Sequence, residues 1–283
     1  MGRVTGTRGL YKTPDELRRM IAPGLLTAAA LDAVRGAVRV GITTLELDAI
    51  AENTIRDGGG IPNFQLEPGY VHTICASVND AIVHGIPTDR PLEAGDLLSI
   101  DCGAEVNGWN GDSAFSMIVP GAASTPVIDR RQRLVDVTEQ SLCEGIAALS
   151  TAQQVNEIGA AVEDTIDGGA ETGYPYGIIE DFTGHGIGRS MHEDPPVFNY
   201  RIRGRGAKVR PGLVLAIEPM VTLGTIESHV LEDDWTMVTN DGSDAAHWEH
   251  SIAVHAAGIW VLTAADGGAE KLRAFGVVPV PIP

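Results

Sequence analysis

The stretch "SIDCGAEVNGWNGDSAFS", residues 99–116, sets two aspartates, Asp101 and Asp112, inside an otherwise apolar, strand-like run. Asn107-Gly108 is a strong two-residue turn signal, because the favoured hairpin turns need positive φ at their central residues. With the turn there, Asp101 faces Ala114 and Asp112 faces Gly103. Side chains alternate between faces, so the two carboxylates become diagonal neighbours on one side of the hairpin. Aspartate is a poor strand former, and two like charges so close repel unless a proton or a cation lies between them. Solvation of both on an exposed face is the competing explanation, and the hairpin alone leaves the two even.

Two further carboxylates sit in similar company. In "GLVLAIEPMVTLG", Glu218 ends a nearly continuous apolar run ahead of Pro219, which places it at the end of a buried strand. A lone carboxylate there is costly unless it is paired or metal-bound. In "AAHWEHSIAVH", Glu249 lies in another strand-like run, sharing one face with His247 while Trp248 and His250 share the other. An exposed strand position would also suit Glu249, and His247, His250 and His255 read as neutral surface or packing residues.

The stretch "FTGHGIGRSMHEDPP" carries His185 and His192 seven residues apart, with glycines crowded around the first. It lacks a complete GxGxxG and a ribose-binding acid in a βαβ unit, so a nucleotide loop is weakly supported. The glycines are expected to let the backbone turn closely around His185. One imidazole with four carboxylates is a mixed nitrogen and oxygen set, suited to two divalent cations that share bridging carboxylates. No GxSxG elbow, HExxH pair or zinc-ribbon spacing competes.

In this order, "IVHGIP", "SIDCGAEVNGWNGDSAFS", "GHGIGRSMH", "AIEPM" and "HWEHSIAV" resemble the motifs of type I methionine aminopeptidases, over about residues 11–263. The resemblance implies a pita-bread fold and removal of the N-terminal methionine from nascent proteins and peptides with a small second residue. It implies two divalent ions (cobalt, manganese, iron or zinc), Asp101 chelating one, His185 with Glu218 binding the other, Asp112 and Glu249 bridging. Metal-bound water would be the nucleophile, with Glu218 as proton acceptor. His84 would lie beside the substrate amine and scissile amide, and His192 would contact the substrate carbonyl. Tyr70, Cys75, Met191 and Trp235 would line the substrate pocket. No helical insertion separates "GHGIG" from "AIEP", as in type I, and no zinc-finger extension precedes the domain. An Xaa-Pro-type aminopeptidase of the same fold, or a catalytically silent binding protein built on it, are the alternatives.

The chain departs from that pattern at Glu67, where a tyrosine is common, and Pro68, where a histidine is common. "EPG" reads as an exposed turn, so Glu67 is expected to swing into solvent and leave a wider, wetter pocket. "ESHVLEDD" is acidic where some relatives carry lysines that meet the ribosome, which leaves the basic run of residues 200–210 as the candidate ribosome contact.

The elements that position these residues are legible too. Thr13, Pro14 and Glu16 form a helix start with a capping box, and helical spacing continues through "LLTAAALDAVRGAV". A second helix is expected over 43–56, then strands from 70 to 119, helices over 127–148 and 151–167 (the latter capped by Thr151 and Gln154), and strands to 263. The order helix–helix–strands occurs twice, which predicts α+β: two pseudo-symmetric halves around a curved antiparallel sheet. The expected divisions are an N-terminal extension (1–12), the metallopeptidase domain (13–264) and an irregular or mobile tail (265–283). Among 283 residues, 43% are hydrophobic and the net charge is −18. That charge disfavours general nucleic-acid binding, which needs a cationic face. No run approaches 18 apolar residues, so no membrane partner is expected. Three cysteines without CxxC spacing and no secretory leader point to a cytoplasmic chain with free thiols, expected to be a monomer.

Overall fold

The computed structural model describes residues 9–169 and 176–283; most of the expected N-terminal extension falls outside them. Two capping boxes open the first half. Thr13 and Glu16 cap helix α1 (Pro14–Ala37), and Thr43 and Glu46 cap helix α2 (Thr44–Asp57), each with the threonine hydroxyl accepting from the glutamate N–H and the glutamate carboxylate accepting in return. Helix α1 contains an 18-residue stretch with a mean hydropathy of 1.2, enough by length and composition for a bilayer span. It is a core helix: Leu17, Met20, Ala30, Leu31 and Val34 are buried, and it packs against α2 and both arms of the hairpin.

The hairpin comprises strands Leu97–Val106 and Trp109–Ile118. Its register pairs Asp101 with Ala114 and Gly103 with Asp112, as the Asn107-Gly108 turn dictates, with both turn residues at positive φ. Ile74–Val78 flanks the hairpin, pairing Cys75 with Asp101.

Helices α3 (Pro126–Leu149) and α4 (Asn156–Gly169) open the second half. Helix α4 starts later than its sequence suggests, and the Thr151–Gln154 capping box does not form. Gln153 and Val155 are drawn instead into backbone hydrogen bonds with Val209 and Ala207, and Glu157 accepts from the N–H groups of Gln153 and Gln154. A five-stranded antiparallel sheet follows, in which Val214–Ile217 lies between Gly184–Gly186 and His250–His255. The helix–helix–strand order thus recurs as expected, and the architecture is α+β. Among the described residues the strands group into four hydrogen-bonded antiparallel ladders, joined at the centre where Ala114 bridges Glu249. The last residues are irregular yet held: Val280 N–H donates to the Ile259 carbonyl, and Arg18 Nε donates to the Pro283 carbonyl.

Candidate metal centre and substrate pocket

Register alone brings the acidic set together. Ala114 is paired with Asp101 on one side and with Glu249 on the other, and Asp112 lies two residues along from Ala114. Paired residues and i±2 neighbours share a face, so the three carboxylates point the same way. Serines clamp the junction. Ser251 Oγ donates to the Asp112 carbonyl and accepts from its N–H, and Ser113 Oγ donates to the Glu249 carbonyl.

The second half contributes His185 and Glu218. His185 pairs with Ala216, so Glu218, two residues on, is its diagonal neighbour; His185 Nε2 lies 3.5 Å from Glu218 Oε1. The glycines on either side of His185 do not make a turn. They sit in an extended strand, where a side chain on Gly184 would collide with the Ala216 carbonyl and one on Gly186 with the Asp194 carbonyl. His185 Nδ1 faces the Gly186 carbonyl at 2.9 Å. A proton held there leaves the Nε2 lone pair free. Asn199 fixes Glu218 by donating to its carbonyl.

All five residues line one cavity of about 370 Å³. Ligand atoms of Asp112, His185 and Glu249 lie within 4.8 Å of one another. The donor set fits divalent cations on two counts. Asp101 Oδ1, Asp112 Oδ1 and Glu249 Oε1 are buried with no hydrogen-bond partner, an arrangement that is costly for carboxylates without a counter-charge. Burial, with mutual repulsion at Asp112, Glu218 and Glu249, pushes all four carboxyls well above the usual range, Asp101 to about 7.

One wall is aromatic. Tyr70 packs edge-on against Trp235 at 4.9 Å and Phe64 at 6.3 Å, and its hydroxyl donates to the Ile74 carbonyl. Cys75 and Met191 complete this buried cluster, so each residue expected to line a pocket is there. Phe64 and Phe182 also line it and were not anticipated, although Phe182 opens the quoted glycine-rich stretch. His84 enters from a left-handed backbone, φ 58°, a conformation rare outside glycine and concentrated at functional positions. Its ring lies edge-on to Phe182 at 5.1 Å, and burial, then His192, lowers its pKa to about 4. His192 stands at the rim with its ring 4.5 Å from that of His185; desolvation lowers its pKa, and Glu67 acts in the opposite direction.

One expectation changes and another is resolved. Glu67 lines the cavity, so it does not swing away into solvent; the 3-10 turn Phe64–Leu66 sets its direction. Of the two roles open to His247, surface or packing, the structure selects packing: it is 2% exposed, with Nε2 lying 3.7 Å from Glu218 Oε2, beside the centre. Its shared face with Glu249 was the signal. Cys75 in the pocket wall, and Cys102 and Cys143 elsewhere, are free and buried.

Residues 18–256 match the model of metallopeptidase family M24. The chain belongs to that family of metal-dependent hydrolases. Within it, the chain is 46% identical to methionine aminopeptidase 1 of Mycobacterium tuberculosis over 93% of its own length and 98% of the relative's. It is 38% identical to methionine aminopeptidase 1 of Bacillus subtilis, covering 90% and 98%. The solved methionine aminopeptidase of Thermotoga maritima superposes with a TM-score of 0.83 at 35% identity, covering 89% of this chain and 98% of that one. A prolidase from Pyrococcus furiosus superposes at 0.68 with 19% identity, covering 90% of this chain and 65% of that one; it shares the pita-bread fold.

Proposed function

We infer that the protein removes the N-terminal methionine from nascent polypeptides whose second residue is small, with two divalent cations at the centre. The observation that carries this reading is the convergence of Asp101, Asp112, His185, Glu218 and Glu249 on one cavity whose adjoining wall is aromatic. Asp101 would hold one ion, His185 with Glu218 the other, and Asp112 with Glu249 both. When bound, the pair supplies Lewis-acid polarisation, anchorage for a free amine and an acidified water.

The chain's own residues do the rest. Tyr70, Phe64, Trp235, Cys75 and Met191 enclose an unbranched apolar side chain, whose full burial is worth about 1.5–3 kcal/mol, and a thioether sulfur gains further from ring contacts. His84 sits beside the amine and scissile amide. His192 meets the substrate carbonyl, where negative charge develops. Glu218 takes the proton through a carboxylate oxygen and returns it to the leaving amine. The basic run of residues 200–210 is the proposed ribosome-facing segment, and the cytoplasm the proposed compartment.

Peptides beginning Met-Ala or Met-Gly, incubated with manganese or cobalt, should lose one residue only, read by mass spectrometry. Release of residues ahead of proline with none from Met-Ala would assign the chain to Xaa-Pro chemistry. Binding without cleavage of either would make it a silent member of the fold.

A further inference from the structure

His247 Nε2 is buried with no hydrogen-bond partner. It faces Glu218 Oε2 at 3.7 Å, while His185 Nε2 faces the other oxygen, Oε1, at 3.5 Å. The strands impose this arrangement. Ala216 pairs with His185 and Met220 with His247. Glu218 stands two residues from each, so one carboxylate has an imidazole as diagonal neighbour on either side. The His247 backbone is fixed by a single hydroxyl: its N–H donates to Ser116 Oγ at 2.9 Å, and its carbonyl accepts from the same Oγ at 2.9 Å. The ring is thus held against Glu218.

We propose that His247 is a positioning residue, its Nε2–H holding Glu218 Oε2 so that Oε1 stays turned toward His185. A carboxylate accepts and cannot donate, so it selects the tautomer that carries the hydrogen on Nε2. Leaving that N–H unpaired in a dry interior is costly, and reaching a normal bond length needs a movement of about 0.8 Å. Partners of this kind orient a metal-binding side chain, and their loss lowers metal affinity or activity about 10–100-fold. The proposal rests on Glu218 being a ligand and proton acceptor.

The test compares wild type with His247→Leu, His247→Gln and His247→Asn, in manganese affinity by calorimetry and in kcat and KM on Met-Ala-Ser. Leucine fills similar space without a donor, glutamine restores a donor at similar reach, and asparagine carries the same amide on a shorter arm. His247→Leu should lose roughly tenfold or more in manganese affinity and in kcat, with KM little changed, and His247→Gln should recover most of both. A folded His247→Leu with wild-type affinity and kcat overturns the proposal, and so does a loss that glutamine fails to recover. If the leucine variant does not fold, the amides decide: asparagine must bind manganese more weakly than glutamine, and equal affinities overturn the assignment. Wild type that binds manganese but leaves Met peptides intact defeats the substrate reading alone, because the affinity comparison still decides His247. Wild type that binds no divalent cation defeats both.

Discussion

Ala114 and Glu249 exchange both backbone hydrogen bonds, at 3.3 and 3.0 Å, across what is otherwise a boundary between two sheets. Because Ala114 is also the hairpin partner of Asp101, this bridge lines up acidic side chains from both halves of the chain. The site is therefore a product of the junction, and its electrostatic cost is borne by the folded protein whenever no cation offsets it.

That cost should be visible in stability against pH. Carboxyls pushed up by burial and repulsion hold protons more tightly in the folded chain than in the unfolded one. The folded state then binds more protons, so stability is lost as pH rises from about 4 through the value of about 7 at Asp101, and further for the others. Chelator-treated protein should melt at lower temperature at about pH 7.5 than at about pH 5, and excess manganese should reverse the trend. A flat profile for the stripped protein would show that neither burial nor mutual repulsion raises these carboxyls in the folded chain.

Removing one charge should separate stability from metal affinity. Asp112 is 4% exposed, and burial first, then Asp101 and Glu218, raises its pKa. Asp112→Asn is expected to melt higher than wild type when both are stripped, yet to bind manganese at least about tenfold more weakly. Asp101→Asn should also weaken binding. A variant with lower stripped stability and intact affinity would place Asp112 outside the centre.

His84→Ala and His192→Ala should each reduce kcat by about a hundredfold or more, the scale for lost acid–base or charge-stabilising groups. Manganese affinity should stay near wild type in calorimetry, since neither belongs to the proposed ligand set. Full turnover in both variants would remove their assigned roles.

How much of this was legible depended on range. The Asn107-Gly108 turn fixed the Asp101 and Asp112 register because hairpin pairing is local, and the capping box at Thr13 was readable within four residues. The Ala114–Glu249 bridge joins residues far apart in the chain, and no periodicity reports it. The sequence left His247 open between surface and packing for the same reason: the contacts that decide for packing, with Ser116 on the hairpin and with Met220, are distant in sequence. Helix α4 failed at its start because strand-like pairing with residues 207–209 overrode a plausible cap. Glu67 was read from turn composition, which describes backbone preference and says little about which cavity a side chain faces.

Glu67 leads to the last expectation. It lines the cavity together with Asp181, and no lysine or arginine is among the lining residues. Two dications would balance Asp101, Asp112, Glu218 and Glu249, leaving Glu67 and Asp181 as net negative charge at the wall and mouth. An incoming peptide that carries a cation soon after its first residues gains from that field. The gain is on the order of 1 kcal/mol or less, because both groups are partly solvated. Phe64 and Tyr70 already supply aromatic surface to the proposed methionine pocket, so Glu67 bears on charge more than on apolar fit. Met-Ala-Lys peptides should be cleaved with several-fold higher kcat/KM than Met-Ala-Glu peptides, and the ratio should shrink as salt shortens the screening length. Glu67→Gln should bring the ratio toward one, with Asp181→Asn lowering it further. A ratio that survives both substitutions would trace the preference to some other part of the acidic surface, and a ratio of one in wild type would show that the rim exerts no selection.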